Sequence, residues 1–322
     1  MTIERVEIND YLVFKNELEI DFSPGINVLL GANGTGKTTL MKAIYGIVGD
    51  AERRLAFTES HAKGNDAPIK RGWSHGSRAG YQRWSHNNVC VIFKISDDYQ
   101  SVYIPEKDIL EHARGLLPFI DQKQTGFGFI YRDTLISGQD VYTREQTEMQ
   151  TYIVDKITNI IDGYIEWNPA DGIYYTIKTD GSRIPFAHEA SAYKKLGYLG
   201  LLVSCGRFEP GTILFWDEPE NSLNPEIVPV LVDILLRLAQ NGVQIFIASH
   251  DYNLVRYFDI REAKDIPVLF HYLSKDENNQ IQCNSSPEYI KLPNNHIEKA
   301  EEDLYEAVIA DAMGVQRNGK VS

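Results

Sequence analysis

Three cysteines in 322 residues, Cys90, Cys205 and Cys283, form no C-x-x-C pair. That scarcity excludes a disulfide framework and a cysteine-built zinc site. No apolar run approaches the ~20 residues that a membrane-spanning helix needs. Cationic residues are in deficit, 32 Lys+Arg against 45 Asp+Glu for a net charge of -13, so a surface basic all over is excluded. Internal repeats, low-complexity tracts and heptads long enough for a coiled coil are also missing. The opening segment, Met1 to Asp10, mixes charges with alternating apolar residues and reads as a strand, not a signal peptide. These absences place the chain in a reducing cytoplasm. What remains is ordinary globular composition, 43% hydrophobic and 24% charged, in a chain long enough for one large α/β domain with insertions or two smaller ones.

One octapeptide stands out, Gly31-Ala32-Asn33-Gly34-Thr35-Gly36-Lys37-Thr38. It fits the phosphate-binding pattern G-x-x-x-x-G-K-[ST]. Ile26 to Leu30, apolar except for Asn27, predicts a buried parallel strand before it. Leu40, Ala43, Ile44, Ile47 and Val48 predict a helix after it. Glycines let backbone N–H groups close around phosphate oxygens at a helix N-terminus, where the dipole favours negative charge. Lys37 would neutralise the β- and γ-phosphates and Thr38 would hold Mg²⁺. Asn33, Gly34, Thr35, Gly36 and Thr39 complete the predicted nucleotide cradle. The chain is expected to bind ATP with Mg²⁺.

Along the chain, residues 3 to 22 predict two strands around a turn near Asn9 to Asn16. Residues 50 to 88 lack periodicity and predict a long loop or insertion. From Arg53 to Lys94 there are eight lysines and arginines against two acids, Glu59 and Asp66. Trp73, Tyr81 and Trp84 lie among those cations, a pattern that suits either a nucleic acid or a protein-docking loop. Val89 to Ile95 and Ser101 to Ile104 predict a hairpin, and residues 105 to 163 a helical lobe. Residues 164 to 187 predict strands with turns at Asp171-Gly172 and Asp180-Gly181. A helix over Leu196 to Cys205 then precedes a strand, Thr212 to Trp216. Asn224 is expected to cap a helix that ends at Gly242. The strand Val243 to Ala248 follows, then a hairpin over Val268 to Cys283. An acidic helix around Glu298 to Ala312 reads as a solvated face.

A second chemical patch is Ile213-Leu214-Phe215-Trp216-Asp217-Glu218-Pro219-Glu220, an apolar strand ending in carboxylates. Neighbours on an extended strand point to opposite sides, so Asp217 can serve Mg²⁺ while Glu218 acts as general base on the attacking water. The following strand ends in Ser249-His250-Asp251, where His250 can reach a γ-phosphate.

These segments together are similar to the ABC-type ATPase superfamily, in particular the RecF/SMC/OLD-like heads. They most resemble the bacterial AAA-family ATPases of AbiEii or abortive-infection type. The resemblance rests on Ile3 to Ile8 with Phe22 to Leu29, on Tyr103 to Leu110, and on Asp217 to Pro225. It implies an α/β P-loop NTPase with a mixed sheet, an antiparallel β subdomain and a helical lobe. The head would span residues 1–286, with an acidic helical segment over 287–322. It implies a composite site, in which the partner copy's signature segment completes each P-loop. Here that segment is Ala190 to Gly197, with Ser191 as its cap and phosphate ligand, and with Ala192 where relatives commonly carry glycine. Gln82 and Gln100 are the two candidates for the family's glutamine loop.

The resemblance further implies an ATPase that forms a homodimer on ATP and controls a protein effector or toxin encoded nearby, in anti-phage defence. The 179 residues between Lys37 and Asp217 leave no room for a long coiled coil, and no nuclease signature is present. A RecF-like repair ATPase that clamps DNA, through the 53–94 segment, is the alternative. A transporter subunit fits less well, because the transporter-type signature is absent.

Overall fold

The computed structural model describes residues 2–49, 74–78, 81–86, 89–94, 100–123, 128–139, 145–261, 266–293 and 295–313. Its centre is a six-stranded sheet assembled from distant parts of the chain. The strands are β3 (Ile26–Leu30), β7 (Ser101–Ile104), β11 (Ile213–Asp217), β12 (Gln244–Ala248), β13 (Val268–Lys275) and β14 (Ile281–Ser286). Their order is β14-β13-β3-β12-β11-β7, and every pairing is parallel except β13 with β14.

The two-residue side-chain period of a strand divides the core. Val28, Leu30, Leu214, Trp216, Ile245 and Ile247 face one side and join the core shared with most of the helices. Leu29, Phe215, Phe246 and Ala248 face the other, against α1 (Lys37–Ile47) and the antiparallel sheet. β3, β11 and β12 are buried along their whole length, which is why they read as continuous apolar runs. Each aliphatic side chain buried there contributes about 1.5–3 kcal/mol. Asn27, the polar exception in β3, is fully satisfied. Its amide exchanges hydrogen bonds with the Ser23 backbone at 2.8 and 2.9 Å, and its oxygen lies 3.1 Å from His271 Nε2. Burial pushes the His271 imidazole down to about 3, so it sits in the core uncharged.

The antiparallel sheet runs β2-β1-β6-β5-β4, from β1 (Thr2–Ile8), β2 (Leu18–Asp21), β4 (Ser74–Arg78), β5 (Tyr81–His86) and β6 (Val89–Lys94). Gln244 of β12 joins it to the parallel sheet. Its amide accepts from the Ile3 N–H at 2.7 Å and donates to the carbonyls of Ile3 and Ser23 at 2.8 and 2.7 Å. This sheet corrects two expectations. Residues 74–78 and 81–86 are paired strands within the stretch expected to be a loop. Strands β6 and β7 form no hairpin: β6 pairs with β1 and β5, whereas β7 pairs with β11. Residues 50–73, which hold Lys70, Arg71 and Trp73, lie outside the described residues.

The helices are α2 (Ala113–Lys123), α3 (Phe129–Ser137), α4 (Glu148–Ile161), α5 (Ser191–Ser204), α6 (Val228–Gln240), α7 (Tyr252–Ile260) and α8 (His296–Ala312). A small sheet, β8 (Gly163–Asn168), β9 (Ile173–Lys178) and β10 (Arg183–Pro185), separates α4 from α5, with its turns where the glycines predict them. α4 begins with a capping box in which Thr147 and Gln150 satisfy each other's backbone N–H. Asn224 does not cap α6. Its carbonyl instead accepts from the Ile227 N–H at 2.8 Å, and the helix starts at Val228 with Pro229 in its first turn. α8 is capped by Asn295. None of its residues is buried, and Leu304, Tyr305, Val308 and Ile309 are exposed along one side.

Candidate functional site

Three parallel strands deliver their C-terminal ends to one place, the edge where open α/β sheets bind ligands. The loop after β3 carries the glycine motif, β11 ends in Asp217, and His250 lies just beyond β12. Gly31, Gly34 and Gly36 have φ of 137, 78 and 94°, conformations that side chains resist. Space also demands glycine at two of them. A Cβ on Gly31 would lie 2.1 Å from the Leu273 carbonyl, and one on Gly36 would lie 2.7 Å from the Phe14 ring. Asn33 and Gly34 form the exposed rim of the loop, and Thr35 is buried with its hydroxyl donating to the Ala32 carbonyl at 2.8 Å.

Lys37 opens α1 and is almost wholly buried. Its ammonium donates to the Gly31 and Ala32 carbonyls at 2.6 and 3.2 Å. Burial lowers its pKa, while Glu218, Asp217 and Glu220 pull it upward. The ammonium is therefore held over the loop in a field of carboxylates.

Thr38 Oγ1 donates to Asp217 Oδ1 at 3.0 Å across a separation of 179 positions. Tyr103, buried at the end of β7, donates its hydroxyl to the other Asp217 oxygen at 3.4 Å. Burial raises the Asp217 pKa, and the Thr38 bond and Lys42 oppose that rise. A hydroxyl and a carboxylate side by side are hard oxygen donors suited to Mg²⁺. A cavity of about 470 Å³ opens beside them, lined by Thr38, Thr39, Lys42, Glu106, Lys107 and Asp217 among others.

Glu218 leaves the strand. Its φ is 47°, a left-handed conformation that costs a residue with a Cβ about 1–2 kcal/mol. The turn leaves the two carboxylates with different partners, Thr38 for Asp217 and His250 for Glu218. The Glu218 N–H donates to the Ala248 carbonyl at 2.9 Å, which ties the ends of β11 and β12 together. Its carboxylate Oε1 lies 3.0 Å from His250 Nδ1. The Glu218 carbonyl accepts from the Asn221 N–H at 3.2 Å and from Lys195 Nζ at 2.8 Å. Glu220, whose pKa burial raises, accepts from the buried Ser249 hydroxyl at 2.6 Å.

Lys37, Thr38, Asp217, Glu218 and His250 are thus brought together by three strand ends. Ser191 is not among them. It is the exposed first residue of α5, the cap position belongs to Ala190, and no side-chain cap bond is made. The reason is local: Ala190 already has extended backbone angles, and its carbonyl accepts from the Lys194 N–H. The two glutamine candidates lie on different parts of the fold. Gln82 lies on β5, and the Gln100 carbonyl pairs with Ile213, at the far end of the strand that finishes in Asp217. The sequence reading also missed Tyr103, Glu106, Lys195 and Ser249 as site residues. Their signal is the parallel pairing of β7 with β11 and the inward path of α5, neither of which is written in local pattern.

Known proteins match parts of this chain in sequence and most of it in fold. A family model described as "AAA ATPase domain" matches residues 1–160, and one described as "AAA domain, putative AbiEii toxin, Type IV TA system" matches residues 98–256. Among curated proteins, the DNA replication and repair protein RecF of Limosilactobacillus fermentum is 40% identical over 73 residues, covering 23% of this chain and 17% of its own length. The L-cystine import ATP-binding protein TcyN of Bacillus subtilis is 27% identical over 97 residues, covering 27% of this chain and 38% of its own length. The matched portion is well under half of either relative. Among solved structures, an SmcHead bound to the C-winged helix domain of ScpA superposes with a TM-score of 0.54 at 14% identity, over 89% of this chain and 98% of that one. An Smc head domain with an extended coiled coil, bound to the C-terminal domain of ScpA and derived from Pyrococcus furiosus, gives 0.51 at 12% identity, over 95% and 99%. At such identity these two establish the fold alone.

Proposed function

We propose that this chain, an ABC-type ATPase head of the RecF/SMC superfamily, is a nucleotide-driven switch that binds MgATP, pairs with a second copy and hydrolyses the γ-phosphate bond. The observation that carries the reading is the convergence at Asp217-Glu218, where Thr38 lies 3.0 Å from one acid and His250 lies 3.0 Å from the next. Backbone N–H groups from Asn33 to Thr39 receive the phosphates, and the Lys37 ammonium exchanges its carbonyl partners for phosphate oxygens. Mg²⁺ bound with the nucleotide would supply charge neutralisation, and Thr38 and Asp217 are the residues that would hold it. Glu218 takes the proton of the attacking water, oriented by His250.

Ser191 is exposed at the uncapped start of α5, where it would meet the nucleotide of the partner copy. Dimer formation on ATP and release after hydrolysis would then act on a bound effector protein. The match to a model with an AbiEii toxin and Type IV toxin–antitoxin description supports anti-phage defence or toxin control as the setting. Residues 1–286 form the head in this reading, and 287–322 form an acidic helical extension. The reducing cytoplasm is its proposed compartment.

The test is Glu218→Gln with Mg-ATP. The variant should bind ATP, hydrolyse it at least a hundredfold more slowly and accumulate as a dimer by light scattering. Wild-type turnover would remove Glu218 as the base. The RecF match favours a second reading, a DNA-clamping repair ATPase. It predicts hydrolysis that duplex DNA stimulates and salt suppresses. Turnover indifferent to DNA would leave the switch reading alone.

A further inference from the structure

One cation in the site has a partner that charge pairing does not explain. Lys195, in the second turn of α5, is almost completely buried. Four carboxylates lie in its field, those of Glu220, Glu106, Glu218 and Asp217. Yet the acceptor of its hydrogen bond is a neutral group, the Glu218 carbonyl, at 2.8 Å. That carbonyl also accepts from the Asn221 N–H and closes the turn in which Glu218 adopts its left-handed backbone. A left-handed residue with a Cβ persists only where its surroundings over-determine it. Here the backbone is fixed from both sides, by the Ala248 carbonyl on the Glu218 N–H and by Lys195 on the Glu218 C=O.

The preceding residue points elsewhere. Lys194 donates to Glu111 at 2.5 Å and to the Ala187 carbonyl at 3.3 Å, both outside the Asp217–Glu220 turn. Adjacent lysines therefore diverge, one holding the start of α5 to the segment after β7 and the other holding the base. A displacement of α5 by about an ångström would take the Lys195 bond past the ~3.5 Å limit of a useful hydrogen bond. The start of that helix, Ser191, is exposed.

We propose that Lys195 is the positioning residue for Glu218: its bond to the Glu218 carbonyl holds the turn that aims the carboxylate at His250, and it makes that aim depend on where α5 sits. Contact at the exposed start of α5 is thereby read out at the base. This rests on Glu218 being the general base. The consequence is regulatory: ATP can be bound well while α5 is displaced, but it is cleaved well only when α5 is seated.

The experiment compares steady-state hydrolysis and equilibrium binding of a fluorescent ATP analogue in the full chain and in Lys195→Met, Lys195→Gln, Lys195→Arg and Glu218→Gln. Methionine keeps the length and removes the donor. Glutamine is too short to reach the carbonyl but tolerates water, so it serves if the methionine variant does not fold. Both are expected to lower kcat tenfold or more, with KM and analogue affinity within twofold. Arginine, which restores a donor, should recover part of the lost kcat. Unchanged kcat in a folded Met or Gln variant overturns the proposal, as does loss of binding in proportion to turnover, or an arginine variant no better than methionine. Glu218→Gln separates the premises. If it turns over normally, the base assignment fails; if it is inert while the Lys195 variants are normal, only the role of Lys195 fails.

Discussion

The two ends of the proposed ATP site are built differently. The end at β3, β11 and β12 is assembled within one chain. Gly31 and Gly36 leave no room for a Cβ, its threonine and aspartate already touch, and its glutamate is held by four separate hydrogen bonds. The end at the start of α5 is bare: Ser191 is exposed, and the helix begins without a side-chain cap. Helix starts leave several N–H groups without intrahelical acceptors, and an anion is a natural occupant. In the proposed reading, the contrast teaches that the chain has pre-organised the chemistry and left the trigger open. Catalysis requires residues fixed to fractions of an ångström, and a switch requires one surface that is incomplete until something arrives.

The strongest challenge to this contrast is Lys37→Ala. It should weaken ATP binding by about a hundredfold, or ~2.7 kcal/mol, read by titration calorimetry. Retained affinity would mean that the strand-end half does not hold the phosphates. Next comes Glu218→Gln, whose hydrolysis should fall ~10²-fold or more with affinity within twofold, in a single-turnover assay. A smaller effect sharpens the other half. In the Glu218→Gln background, Ser191→Arg should weaken the ATP-dependent dimer about tenfold, about 1.4 kcal/mol, by light scattering across a concentration series, while each monomer still binds ATP. A dimer of unchanged strength would show that copies meet on another surface. The smallest change is expected for Tyr103→Phe, which removes one long hydrogen bond to Asp217. It should raise the Mg²⁺ concentration for half-maximal hydrolysis about two- to threefold, or ~0.5 kcal/mol. A tenfold shift would make Tyr103 part of the metal-holding set.

The half made from strand ends was also the half legible in the sequence. A glycine loop, an apolar run on each side and an acid pair after a buried strand are local signals with local causes. Asn27 looked like a blemish in β3 and proved to be the anchor of a polar cluster with Ser23 and His271. What the sequence hid was pairing at a distance. Ser101 to Ile104 is short and apolar, and nothing in its pattern chooses β11 over β6 as a neighbour, so Tyr103 and Glu106 could not be assigned to the site. Lys195 was hidden for a similar reason, because periodicity reports a helical face and not the carbonyl a long side chain will find. Ser191 suggests a cap because serine often is one. The preceding alanine already has the extended backbone that a cap position needs, so the helix begins one residue earlier than the serine side chain suggests.

The place of β3 in the sheet sets a timetable for biosynthesis. Its neighbours are β12 and β13, and Ile26 pairs with Ile245 on one side and Val268 on the other. The Ile3 backbone likewise waits for Gln244, 241 positions downstream. At ~5–20 residues per second, a ribosome needs roughly 10–50 s to supply those partners. Throughout that interval Ile26 to Leu30, the most apolar strand near the front of the chain, has no sheet to join. Such long-range closure is slow and exposes sticky surface. The strand that carries the phosphate loop is translated early, but it cannot be flanked on both sides until the chain has grown past Val268.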